Sequence, residues 1–193
     1  AALGITIRQA IRFGVARGLF SNEAGMGSTP HAHARAKAKC PDDQGLCAMV
    51  SVFIDTFVVL NFTVFVILTS GIYGQLDPAT QKPLYTGIAL TQRAFVAGFG
   101  NFGHFFVAIC LFFFAFSTVL GWHFFGAVNV QYLFGKKAVT LYSLIVVACI
   151  IVGTTLKVEL VWDMADFFNG LMVIPNVLAL LALFRVVKEH VKK

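Results

Sequence analysis

Apolar residues in this chain come in long runs, and the charged residues are pushed to the ends of those runs. No Asp, Glu, Lys or Arg falls between Asp55 and Asp77, between Arg93 and Lys136, between Lys137 and Lys157, or between Asp166 and Arg185. Each run is roughly 18 residues or longer, enough at about 1.5 Å per residue to cross a hydrocarbon core about 30 Å thick. The pattern predicts spanning helices at about Val50–Ile72, Phe102–Phe125, Ala138–Leu156 and Ala165–Val187. The second sits in a charge-free stretch of roughly 42 residues, long for one crossing. It either continues through Tyr132 or follows a short surface helix around Thr86–Gly98. Ahead of it, the loop Tyr73–Asn101 carries turn signals at Asp77-Pro78 and Lys82-Pro83.

Composition points the same way. Of 193 residues, 58% are hydrophobic and only 12% charged, where a soluble domain carries about 25% charged residues. That leaves too little polar surface to coat a water-exposed globule. The fold class expected is all-α, a polytopic membrane helix bundle. The net charge of +6 need not mean nucleic acid, because its distribution has a simpler source. Arg35, Lys37, Lys39, Lys136, Lys137, Arg185, Lys188, Lys192 and Lys193 fall on one set of alternate loops, against Lys82, Arg93 and Lys157 on the other. The excess of Lys and Arg marks the cytoplasmic side, so a multi-pass protein of the cell membrane with a cytoplasmic C-terminus is expected. Cys40, Cys47, Cys110 and Cys149 have no metal-ligand or redox spacing. The chain opens Ala1-Ala2-Leu3 with no signal-peptide pattern, and is read as one membrane domain, a fragment of a longer protein.

The most informative stretch runs from Gly14 to Pro30. It is moderately apolar to Phe20, then becomes Ser21-Asn22-Glu23-Ala24-Gly25-Met26-Gly27-Ser28, then turns helix-friendly through His31–Lys39. Gly25, Gly27 and Pro30 disfavour an unbroken helix, and Ser21 and Asn22 favour a helix end. Two half-helices meeting at an unwound centre, within about residues 8–40, fit this pattern. So does a cytoplasmic loop with ordinary turn glycines. Unwound backbone at membrane depth is tolerated only where protein or a water-filled cavity satisfies it, and transporters aim such breaks at substrate and ions.

Arg17-Gly18-Leu19-Phe20-Ser21-Asn22-Glu23-Ala24-Gly25-Met26-Gly27-Ser28 resembles the hallmark of the alanine or glycine:cation symporter family. The resemblance continues through Gln44-Gly45, Val52-Phe53-Ile54-Asp55-Thr56 and Phe114-Ala115-Phe116-Ser117-Thr118. It ends with Trp162-Asp163-Met164-Ala165-Asp166 and Gly170-Leu171-Met172-Val173-Ile174-Pro175-Asn176. It implies a LeuT-type fold of two inverted five-helix repeats, with this chain as the C-terminal half. Residues 21–28 would then be the break of the sixth helix, and the four spans the seventh to tenth. The function implied is sodium-coupled symport of a small neutral amino acid, alanine or glycine, by alternating access. An integral-membrane accessory or structural subunit is the alternative.

By the same resemblance, Ser117 and Thr118 are candidate sodium ligands on the eighth helix. Their hydroxyls also fit the local bond to the carbonyl one turn back. Trp122 lies four residues beyond Thr118, on the same helical face. Thr118 and Trp122 would form one wall of a substrate pocket faced by Asn22, Gly25 and Met26, unless Trp122 is an interfacial anchor. Asp166 and Arg17 are a candidate outer gate, although solvation also accounts for Asp163 and Asp166 at a span end. Asp55 has a structural reading. His31 and His33 lack a third ligand and stand beside Arg35, Lys37 and Lys39, which favours a solvated segment over a metal site. Sodium is the one metal expected, as coupling ion, with no other cofactor and no catalytic residues. The partners implied are the amino-acid substrate, the lipid bilayer and the N-terminal half, with no nucleic acid.

Overall fold

The computed structural model describes residues 2–191, with side chains described over 6–190. Lys192 and Lys193, counted above among the loop charges, lie outside the described residues. Among the described residues regular structure is helical, apart from an isolated antiparallel bridge between Leu76 and Pro83. Helices close their backbone hydrogen bonds internally, which hydrocarbon demands. Along the chain come α1 (Ala2–Asn22), α2 (Pro30–His33), α3 (Pro41–Phe53), a π-helical turn (Ile54–Val59), α4 (Leu60–Thr69), α5 (Gly87–Phe99), α6 (Phe102–Phe134), α7 (Lys136–Gly153) and α8 (Val158–Val191).

Among the described residues four stretches are long and apolar enough to cross a membrane: Pro41–Thr69, Phe102–Phe134, Lys136–Gly153 and Val158–His190. Large apolar side chains face outward along them, with Phe62 68%, Phe112 65% and Leu181 70% exposed. Such a surface suits lipid, not water. Polar residues within these helices are satisfied locally. Asn61, Thr63 and Thr69 each donate to the carbonyl four residues back, at 2.9, 3.0 and 2.7 Å. The chain is a multi-pass membrane helix bundle.

The first crossing begins at Pro41, well before the apolar run does. Proline suits the first helical turn, and Asp42 and Asp43 there complement the positive end of the helix dipole. Both alternatives for the second run are realised: α5 is a separate helix, and α6 runs on to Phe134. At about 1.5 Å per residue α6 is ~50 Å long, beyond the thickness of a hydrocarbon core. The helix-friendly stretch expected through Lys39 is shorter. α2 is a single turn, followed by turns and bends up to Pro41, which disfavours helix at the residue before it.

The chain divides into two compact units, Phe53–Trp122 and Ala1–Val52 with His123–Lys193. In the former, α5 returns on the start of α6. Gly100 (φ +59) turns the chain, and a Cβ at Gly103 would lie 2.7 Å from the Phe95 backbone. Ala94 and Val107 are buried at this joint, and Phe95 stacks on Phe106 at 5.5 Å. The other unit holds the interrupted segment.

Candidate functional site

Helix α1 ends at Asn22, and the reason is local. The Asn22 amide oxygen accepts from the Ala24 N–H at 3.0 Å, a bond that competes with helix continuation. Glu23 then adopts φ +55, and Gly25 and Gly27 follow at +90 and +84. Glycine enters this region freely, whereas Glu23 pays about 1–2 kcal/mol for it. The conformation is held from both sides. The Met26 N–H donates to the Glu23 carbonyl at 3.2 Å. The Glu23 carboxylate accepts from Ser28 Oγ at 2.6 Å and from Thr29 Oγ1 at 3.3 Å. The helical path resumes at Pro30.

A side chain 151 positions away completes the turn. Asn176 on α8 donates through Nδ2 to the Gly25 carbonyl at 2.8 Å. A Cβ on Gly27 would lie 3.0 Å from the Asn176 side chain, so glycine lets the turn and α8 approach closely. Met26 and Ser28 are each only 1% exposed. In a chain whose helices turn their apolar faces outward, this polar turn is among the most enclosed places.

Above the turn, Arg17 Nη2 pairs with Asp166 Oδ2 at 2.9 Å, each side chain 37% exposed. The guanidinium lies 4.1 Å from the Trp162 ring centroid, and Phe20 meets that ring edge-on at 5.4 Å. The aromatic face holds the cation while the carboxylate orients it. A cavity of about 450 Å³ lies between α1 and α8, lined by Ile11, Val15 and Leu19 on one side and Asp166 and Asn169 on the other, with Met26 contributing. Arg17 Nη1 and Asn169 Nδ2 are buried donors with no acceptor among the described residues.

This unit therefore brings together Asn22, Gly25 and Met26 in the turn, with Arg17 and Asp166 beside it. Ser117, Thr118 and Trp122 belong to the other unit, on α6. There Ser117 Oγ donates to the Phe114 carbonyl at 3.1 Å, while Thr118 is exposed and Trp122 half-buried. The two histidines also differ from the solvated reading. His33 Nδ1 lies 2.9 Å from Gln44 Oε1. His31 contacts the Ser28 carbonyl through Nδ1 at 2.9 Å and Asn129 Oδ1 through Nε2 at 3.2 Å. Among the described residues no group of three His, Cys, Asp or Glu is placed to hold a metal.

The sequence reading missed Asn176 as the clamp, Trp162 as the platform under Arg17, and the engagement of His31 with α6. None of the three carried a specific signal: Asn176 stands next to Pro175, which removes a helix donor inside α8, but Asn169 lies in the same charge-free run.

Comparison with known proteins adds the following. The sodium:alanine symporter family matches residues 1–193. A sodium/alanine symporter of Methanococcus maripaludis is 42% identical over 192 residues, covering 100% of this chain and 41% of that relative. A probable sodium/glutamine symporter of Bacillus subtilis is 41% identical, covering 99% of this chain and 39% of the relative. A sodium/proton-dependent alanine carrier of Bacillus sp. PS3 is 34% identical, covering 94% and 43%. The chain thus spans about two fifths of the length of these curated relatives. No solved structure matches it.

Proposed function

This chain belongs to the sodium:alanine symporter family, and from that premise we propose that it works in sodium-coupled symport of a small neutral amino acid, alanine or glycine. The observation that carries the proposal is the interruption between Asn22 and Pro30. Its backbone leaves the helix, yet side chains from its own ends and from Asn176 hold it in one conformation. A fixed, non-helical segment presents peptide groups to a ligand at little reorganisation cost.

In this reading the protein has a LeuT-type fold and sits in the cell membrane with its C-terminus in the cytoplasm. Asn22, Gly25 and Met26 face the amino acid from the break, and Thr118 and Trp122 wall the opposite side. Bulk from Met26 and Trp122 excludes longer side chains. Ser117 and Thr118 give sodium hydroxyl oxygens, the hard neutral ligands that such a cation takes. Arg17 and Asp166 close the outer path over the bound substrate, and rocking of one helix bundle alternates access.

The test is uptake of labelled alanine into vesicles carrying the full-length protein. Uptake should need an inward sodium gradient, and Thr118→Val should raise the sodium concentration for half-maximal rate about tenfold, the loss of one good ligand. Uptake that persists unchanged without a cation gradient overturns the symport reading.

A further inference from the structure

We propose that the groove between the chain after the break and α3 binds an anionic phospholipid, its phosphate held by Arg35, Lys37 and Lys39 and an acyl chain laid along the alanines that alternate with them. Residues 34–39 read Ala-Arg-Ala-Lys-Ala-Lys, and the structure sorts the two kinds of side chain. Ala34, Ala36 and Ala38, with Pro30, line one wall of a groove of about 550 Å³, and Gly45 and Ala48 of α3 line the other. Arg35, Lys37 and Lys39 are exposed, and Lys39 reaches the edge of the groove. His33 Nδ1 and Gln44 Oε1, 2.9 Å apart, fasten the two walls. The groove is thus built by the fold itself.

Its charge is of one sign. None of the three basic side chains forms an ion pair among the described residues. The nearest acids in sequence, Asp42 and Asp43, are turned elsewhere. From α3 the groove takes Pro41, Gln44, Gly45 and Ala48, a spacing that marks one helical face. Asp42 and Asp43 line a different hollow, toward α8, where Asp42 Oδ1 lies 3.4 Å from His190 Nε2. A negative partner at the groove is met by cations alone.

The groove also lies at the depth of a headgroup. The first crossing, Pro41–Thr69, has 29 residues, about 43 Å at 1.5 Å per residue. That matches a bilayer with its headgroup layers, about 40–45 Å, and not the hydrocarbon alone. The Pro41 end, with Lys39 just before it, therefore falls among the phosphates, where basic clusters bind acidic lipid. An inorganic anion would engage the cations and leave the apolar walls wet, whereas a lipid uses both. Thr29 lines the groove and donates to the Glu23 carboxylate at 3.3 Å, so a lipid seated there braces the second half of the break. None of this depends on what the protein carries.

Cys40 lines the same groove and is half-buried, which makes it the reporter. Full-length protein is placed in nanodiscs of phosphatidylcholine alone, or of phosphatidylcholine and phosphatidylglycerol in equal parts. Alkylation of Cys40 by N-ethylmaleimide is then followed by peptide mass spectrometry. Phosphatidylglycerol should slow the reaction about fivefold more in the natural protein than in Arg35→Gln/Lys37→Gln/Lys39→Gln, the affinity that one basic residue adds near an acidic surface. Comparison in the same discs cancels the general effect of a negative bilayer on thiol alkylation. Arg35→Lys/Lys37→Arg/Lys39→Arg, which keeps the charges, should keep the slowing. Equal slowing in the natural and glutamine proteins, its loss in the charge-keeping variant, equal slowing by inorganic phosphate in phosphatidylcholine discs, or a Cys40 that reacts in neither disc overturns the proposal. Alkylation needs no substrate, so a failure of alanine uptake bears on the symport reading alone.

Discussion

The turn at Glu23–Thr29 and the joint between α5 and α6 both bring backbone to close quarters, but by opposite means. At the joint, Gly103 lies against the Phe95 backbone, and Ala94 and Val107 fill in around it. Phe95 stacks on Phe106 there, and close packing holds the joint. At the turn, Met26 and Ser28 are buried among hydrogen bonds: Glu23 to Ser28 and Thr29, and Asn176 to the Gly25 carbonyl. In hydrocarbon, packing of small residues holds helices together, whereas non-helical backbone needs explicit acceptors and donors. The joint tolerates loss of polarity and no added volume. The turn is sensitive to both.

The largest expected effect lies at the joint. Gly103→Val drives side-chain atoms into the Phe95 backbone and should lower stability by about 1–3 kcal/mol or more, read as a fall in the thermal midpoint of the purified protein. An unchanged midpoint would mean that α5 does not pack on α6 as described. Next comes Asn176→Ala, which removes the donor from the Gly25 carbonyl and should cost about 1–2 kcal/mol. It should also weaken alanine uptake well beyond what Gly103→Ala does at matched expression, since it loosens the turn itself. Equal losses from both variants would erase the distinction between the two regions.

A smaller effect is expected at Arg17 and Asp166. The pair is partly exposed, so either single charge reversal should cost about 0.2–1 kcal/mol, and the double reversal should recover most of it. Additive losses in the double variant would show that the two charges do not act together. The smallest effect lies at the exposed Leu76–Pro83 hairpin. Asp77 accepts from the Ala79 N–H and from Thr80 Oγ1 at 2.9 and 2.8 Å. These bonds, the backbone one first, hold its carboxyl below the ordinary value of 3.8. A lowered value makes the ionised form part of the folded turn. Its contribution is complete above 3.8 and fades as pH falls through the folded value. Protection of the Ala79 amide, its exchange rate set against the intrinsic rate at the same pH, should therefore hold at neutral pH and fall only in acid, and Asp77→Asn should flatten that dependence.

What could be read in the sequence was whatever is local. The charge-free runs mark the long helices because desolvating a charge is costly at every position along a span. Gly25, Gly27 and Pro30 mark the end of α1 because glycine frees its own backbone to leave the helix and proline restricts its own. The start of the first crossing escaped because acidic residues interrupt an apolar run, yet Asp42 and Asp43 stabilise a helix N-terminus. Contacts between distant residues were legible only where the family resemblance suggested a partner. It put Arg17 and Asp166 together, and they do meet. Asn176 and Asn129 are neutral amides in apolar helices, where a bond to the residue's own helix is the ordinary outcome. Asn129 makes that ordinary bond with its NH2 group while its oxygen reaches His31. No pattern along the chain distinguishes the two uses.

Between α6 and α7 stands a single residue, Gly135, at φ +81. With about 3.8 Å between successive Cα atoms, such a linker leaves no slack for one helix end to slide along the other. His123 bonded to Ser143, and Tyr142 seated where any side chain at Gly126 would collide, add two further fastenings above it. The last turns of α6 and the first of α7 thus behave as one bent lever. A displacement delivered to Asn129 is passed on to the helix beyond the bend.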